Sequence, residues 1–124
     1  MKAGDTFRSV NSAVDIHLWV IISDPRQDAS QVLIVSLTTY EAKKESVCLL
    51  DVGDHPFVRH KTCVAYNLAK APSLAQLEQA RDAGHLIQDN PISASILLRI
   101  REGAALSKKL AVNYYVILED QGLV

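Results

Sequence analysis

In the first half of the chain the apolar residues recur at every second position. In Asp15–Ser23 (DIHLWVIIS), Ile16, Leu18, Val20 and Ile22 fall on one side, and Asp15, His17, Trp19 and Ile21 on the other. That is the spacing of a strand, whose successive side chains point to opposite faces. Asp24-Pro25 ends this predicted strand with a turn signal. Val32–Thr39 (VLIVSLTT) predicts a second strand, with Leu33, Val35 and Leu37 opposite Val32, Ile34, Ser36 and Thr38. The latter face turns polar at its end. Val47–Asp51, stopped by Gly53, and Val58–Tyr66 (VRHKTCVAY) predict two more strands, and Asp5–Val10 a fifth. For a strand that starts at Val58, Arg59 and Lys61 share a face while His60 and Thr62 share the other. At most one of Arg59 and His60 then points into a given groove, a limit that a bulge near Pro56 would relax.

The second half changes period. Ser73 reads as the N-cap of a helix over Leu74–Ala83, with Leu74, Leu77 and Ala80 on one stripe and Gly84 at its C-terminal end. Pro91 opens a further predicted helix, in which Ile96, Leu97, Ile100 and Ala104 fall at helical spacing and Gly103 weakens the far end. Ser107 reads as the cap of a last helix with the stripe Leu110, Tyr114, Ile117 and Leu118. Short, closely spaced strands followed by helices predict an α+β domain built on a small antiparallel barrel or curled sheet, not on a parallel unit.

Composition narrows the function. The 124 residues make one ordinary domain, and 48% are hydrophobic, enough for a real core. With 13 basic and 14 acidic residues, the formal charge of −1 gives no global attraction to nucleic acid, so any anion site must be a local patch. The longest apolar run, Leu18–Ile22, is far too short to span a bilayer. The N-terminal residues MKAGDTFRSV lack a secretory apolar segment, so a cytoplasmic protein with no membrane association is expected. Cys48 and Cys63 are expected as free thiols in a core.

The stretch GDHPFVRH, Gly53–His60, puts two histidines and an arginine within six residues. Such a cluster suits phosphate binding, proton transfer, metal binding or simply a chain turn. Cys48, His55, His60 and Cys63 match a zinc set in number and type, but not in any familiar ligand spacing. No metal and no cofactor are therefore expected.

Several segments together resemble the PemK/MazF-like toxins of type II toxin–antitoxin systems. Gly4-Asp5 is similar to that family's opening before its first strand. His17–Pro25 (HLWVIISDP) is similar to its second strand, and Val32–Thr39 to its strand ending in threonine. Ile96–Ile100 (ILLRI) and Leu106–Leu110 (LSKKL) resemble its helical ending. The likeness covers most of the chain except Lys70–Asn90, and GDHPFVRH marks a variant subgroup. The resemblance implies an SH3-like β-barrel (PemK/MazF/CcdB-like) with C-terminal helices. It also implies a homodimer, a cognate antitoxin, and metal-independent cleavage of single-stranded RNA. Members of the same fold act on DNA gyrase, so fold alone does not settle function. In the ribonucleases an arginine precedes a proline at the head of the second strand. Here His17 and Leu18 stand there, while Thr38 matches the family's threonine.

Cleavage by a neighbouring 2′-hydroxyl needs a base, an acid and charge stabilisation at phosphorus. Histidine serves as the first two because the residue type titrates near neutrality, and arginine's fork serves the third. The candidate catalytic residues are therefore His17, Thr38, Arg59, His60 and His55. Ser36, Phe57, Lys61 and Trp19 are candidates for RNA contact, the aromatics by stacking on bases. Each has a structural alternative. His17 would be a hydrogen-bonded strand histidine, His55 a turn former before Pro56, and Arg59 a surface cation. Ser36 and Thr38 would be strand formers, and Trp19 a core residue. A non-catalytic binding module on the same fold and a gyrase-directed toxin remain the alternatives for the whole protein.

Overall fold

The computed structural model describes residues 1–10 and 17–124. Its elements in chain order are β1 (Thr6–Ser9), β2 (Leu18–Ile21), β3 (Ile34–Thr39), β4 (Leu49–Leu50), β5 (Thr62–Lys70), α1 (Leu74–Asp82), β6 (Leu86–Asp89), α2 (Ala94–Leu106) and α3 (Val112–Asp120). The strands form one antiparallel sheet in the order β4-β5-β3-β2-β1-β6. This is the expected α+β class. The sheet is open, with β4 and β6 as its edges among the described residues, and does not close into the expected barrel.

Both faces of the sheet are covered, and the alternation divides cleanly between two cores. Leu18, Val20, Ile22, Leu33, Val35, Leu37, Val64 and Tyr66 pack with Ile96, Ile100 and Ala104 of α2 and Ile117 and Leu118 of α3. Phe7, Ile21, Val32, Ile34 and Leu77 pack on the other side, with Trp19 and Leu74 against them. Burying one such aliphatic side chain stabilises by roughly 1.5–3 kcal/mol before chain entropy is counted. At the centre, the Tyr66 hydroxyl donates to the Ile100 carbonyl at 2.6 Å. Gly103 lies where α2 meets this contact: a β-carbon there would sit 2.9 Å from Cys48 Cβ and closer still to the Tyr66 hydroxyl. The residue that looked like a weakness in the helix is thus a point of close approach to the sheet.

Most strands differ from the sequence reading by one or more residues at their ends, and several departures go further. The predicted strand over Val58–Tyr66 begins only at Thr62, because Val58 is buried as a loop anchor and its N–H donates to the His55 carbonyl at 2.9 Å. Leu86–Asp89 forms a strand that too little alternation marked. Pro91 lies outside α2, whose cap is Ser93, accepting from the Ile96 N–H at 3.2 Å. Ser107 is the C-cap of α2 and not the N-cap of the last helix; its hydroxyl donates to Glu45 at 2.6 Å and accepts from the Lys109 and Leu110 N–H groups, and α3 starts after Ala111. Ser73 does cap α1, in a reciprocal capping box with Gln76. Asp15 and Ile16 of the second predicted strand lie outside the described residues. No helix among the described residues is long and apolar enough to cross a membrane.

Candidate functional site

A cleft of about 480 Å³ opens at the end of the sheet where β3 leaves the core. Its floor is the tip of β3, Leu37 through Thr39, with Thr62 of β5 beside it. His17, immediately before β2, and Arg8 of β1 line it from one direction. Phe57, Arg59 and His60 line it from the loop that precedes β5.

The sequence of that loop explains its shape. Gly53 has φ +101°, a conformation side-chain-bearing residues rarely adopt, and allows the turn in which the Asp54 N–H donates to the Asp51 carbonyl at 3.0 Å. His55 is then buried at 4% exposure. Its Nδ1 accepts from the Phe57 N–H at 3.0 Å, so that nitrogen carries no proton, and Nε2 donates to the Asn90 carbonyl at 2.6 Å. Val58 is the second anchor, 3% exposed in the main core. With His55 and Val58 fixed inside, Phe57, Arg59 and His60 are left at the surface. Because these residues are a loop, the strand argument that set Arg59 and His60 on opposite faces does not apply, and both line the same cleft.

Polar contacts organise the site. The His17 Nδ1–H donates to the Leu37 carbonyl at 3.3 Å; a carbonyl can only accept, which leaves Nε2 of the neutral ring as the acceptor. His60 Nε2 and the Thr39 hydroxyl are hydrogen-bonded at 2.8 Å. Thr38, one residue earlier, turns its hydroxyl to Lys44 Nζ at 3.4 Å, and the same ammonium donates to the Thr39 carbonyl at 2.8 Å. Strand alternation thus makes Thr39, not Thr38, the hydroxyl paired with a histidine. Arg8 is steadied by Asp89, its Nε 3.1 Å from Oδ2, within ion-pair distance but without the alignment of a hydrogen bond. Two arginines, two histidines and three threonines line the cleft, and none of its described lining residues is a carboxylate. In a chain of net charge −1 this is a local cationic patch able to bind an anion and move a proton beside it.

Of the residues singled out from sequence, His17, Thr38, Arg59, His60 and Phe57 meet in the cleft. His55 does not reach it as a ligand, since both ring nitrogens are occupied in the interior. Ser36 is fully buried, with no partner for its hydroxyl among the described residues. Trp19 belongs to the core on the other face, with Lys70 Nζ 5.4 Å above its ring. Lys61 is exposed outside the cleft, its carbonyl accepting from the Tyr40 N–H at 3.0 Å. Cys63, opposite Thr38 in the β3–β5 register, is buried, and burial pushes its thiol up, away from the reactive thiolate. Among the described residues no group of three His, Cys, Asp or Glu side chains is placed to hold a metal ion. Arg8, Thr39 and Thr62 were missed. A lone arginine within the predicted first strand was the available signal for Arg8, and the doubled threonine that for Thr39. No family model matches the chain, and comparison with curated proteins gives no match.

Proposed function

We propose that the cleft binds the sugar–phosphate chain of single-stranded RNA and cleaves it without metal, as the resemblance to the PemK/MazF-like toxins implies. The observation that supports this reading is the convergence of His17, Arg59, His60 and the β3 threonines from separate segments on one cleft whose described lining residues include no carboxylate. Arg59 and Arg8 would hold phosphate oxygens. His17, with Nε2 left as acceptor, would take the 2′-hydroxyl proton, and His60 would protonate the leaving oxygen. Phe57 would stack on a base. The homodimer and the cognate antitoxin belong to the same proposal.

Purified protein incubated with mixed-sequence single-stranded RNA in EDTA tests it. Cleavage to cyclic phosphate ends is expected, falling about 10²-fold or more when His60 or His17 becomes alanine. Intact RNA at every pH overturns it. The histidine that replaces the family's arginine supports a second reading, a module that holds RNA without cutting it. That reading requires salt-dependent binding and no products.

A further inference from the structure

We propose that the Asp89–Asn90 segment and His55 form the positioning device of the cleft, holding Arg8 on one wall and the Phe57–His60 loop on the other. The proposal rests on the phosphate-binding reading given above. Asp89 closes β6, and its two oxygens face two partners: Oδ2 lies 3.1 Å from Arg8 Nε, and Oδ1 accepts from the Asn90 N–H at 2.7 Å. Contact through Nε leaves the terminal guanidinium nitrogens of Arg8 without a hydrogen-bond partner among the described residues, and they are placed to meet an anion. One residue on, the Asn90 carbonyl accepts two hydrogen bonds of 2.6 Å, from the Thr6 hydroxyl of β1 and from His55 Nε2. His55 Nδ1 accepts from the Phe57 N–H, at the start of the loop that presents Arg59 and His60.

A continuous chain therefore runs from Arg8 through Asp89, Asn90 and His55 to Phe57, joining segments that are remote in sequence. Among the described residues two arginines line the cleft, Arg8 at one end of this chain and Arg59 two residues beyond its other end at Phe57. Their separation sets whether both can engage one phosphate strand, and such sites lose function when their supporting contacts are loose. His55 is thus a positioning residue that acts through Phe57 and Asn90, and Asp89 one that acts through Arg8.

The two histidine contacts can be removed separately. His55→Asn retains an acceptor near Nδ1, and His55→Gln retains a donor near Nε2. Amide hydrogen exchange at Phe57 in ligand-free protein should stay slow in His55→Asn and become fast in His55→Gln. Both should bind a fluorescein-labelled single-stranded RNA more weakly than wild type. Asp89→Asn, at a side chain only 24% exposed, keeps the contact to the Asn90 N–H and weakens that to Arg8. It should raise KM for RNA about tenfold with kcat nearly unchanged. Equal Phe57 exchange in the two His55 variants, or wild-type RNA affinity in all three, overturns the proposal. The exchange measurement needs no ligand. Wild-type protein that ignores RNA therefore removes the cleft reading, and the positioning device then stands or falls on Phe57 exchange.

Discussion

Strand β3 passes through two environments. From Ile34 to Leu37 all four residues are buried between the helices on one face and the smaller core on the other. At Thr38 and Thr39 the strand leaves that cover, and its side chains become half-buried and then exposed. The stem is held by apolar contact, which is non-directional and tolerates few changes of volume. The tip is held by directional contacts, Thr39 with His60 and Lys44 with the Thr39 carbonyl. One strand thus supplies both the rigid foundation and the reactive end. Changes in the stem should cost stability, and changes at the tip should cost function alone.

The largest effect is expected from Gly103→Ala. Alanine in a helix interior normally stabilises by about 1 kcal/mol relative to glycine. Here the new β-carbon meets Cys48 and the Tyr66 hydroxyl, and overpacking of this kind costs about 1–3 kcal/mol, with the Tyr66 hydrogen bond at risk as well. The overlap should win, giving a net loss of about 1–3 kcal/mol in urea unfolding. A rise in stability would show that α2 can slide on the sheet and that the stem is softer than described.

Tyr66→Phe removes the hydrogen bond to Ile100 and keeps the ring. A loss of about 1 kcal/mol is expected by the same assay. No loss would leave apolar packing as the whole basis of the stem.

The stem should also weaken at alkaline pH. Burial pushes the Cys48 and Cys63 thiols and the Tyr66 phenol up. Their folded values exceed the unfolded ones, so the unfolded chain releases these protons first. Their contribution is complete below the unfolded thiol range, about pH 8.5, and is lost as pH rises through the higher folded values. The urea midpoint should fall between pH 7.5 and 10, and Cys63→Ala should flatten the change. A midpoint that does not move contradicts the burial of these groups.

The smallest effect on stability belongs to the tip. Arg59→Ala and Thr39→Ala, both at exposed residues, should shift unfolding by no more than about 0.5 kcal/mol while reducing RNA binding or cleavage. A larger shift would show that the cleft carries part of the fold's stability and would erase the contrast between stem and tip.

The sequence alone determined the period of β2 and β3, which residues of each share a face, the capped start of α1, and the α+β class. These follow from rules that act within a few residues: alternation, helical spacing and side-chain capping. It also pointed to His17, Thr38, Arg59 and His60. Only the tertiary structure decided that Arg59 and His60 line one cleft, because Val58 is buried as a loop anchor and the strand begins at Thr62. It likewise decided that His55 faces inward to Asn90 and that Arg8 and Thr39 join the site. It made Gly103 a close contact rather than a helix end. Each of these depends on a partner that is remote in the chain: Asn90 for His55, the loop for Thr39, Tyr66 for Gly103. Local spacing carries no record of such a partner, whereas burial and hydrogen bonding in the folded chain select it.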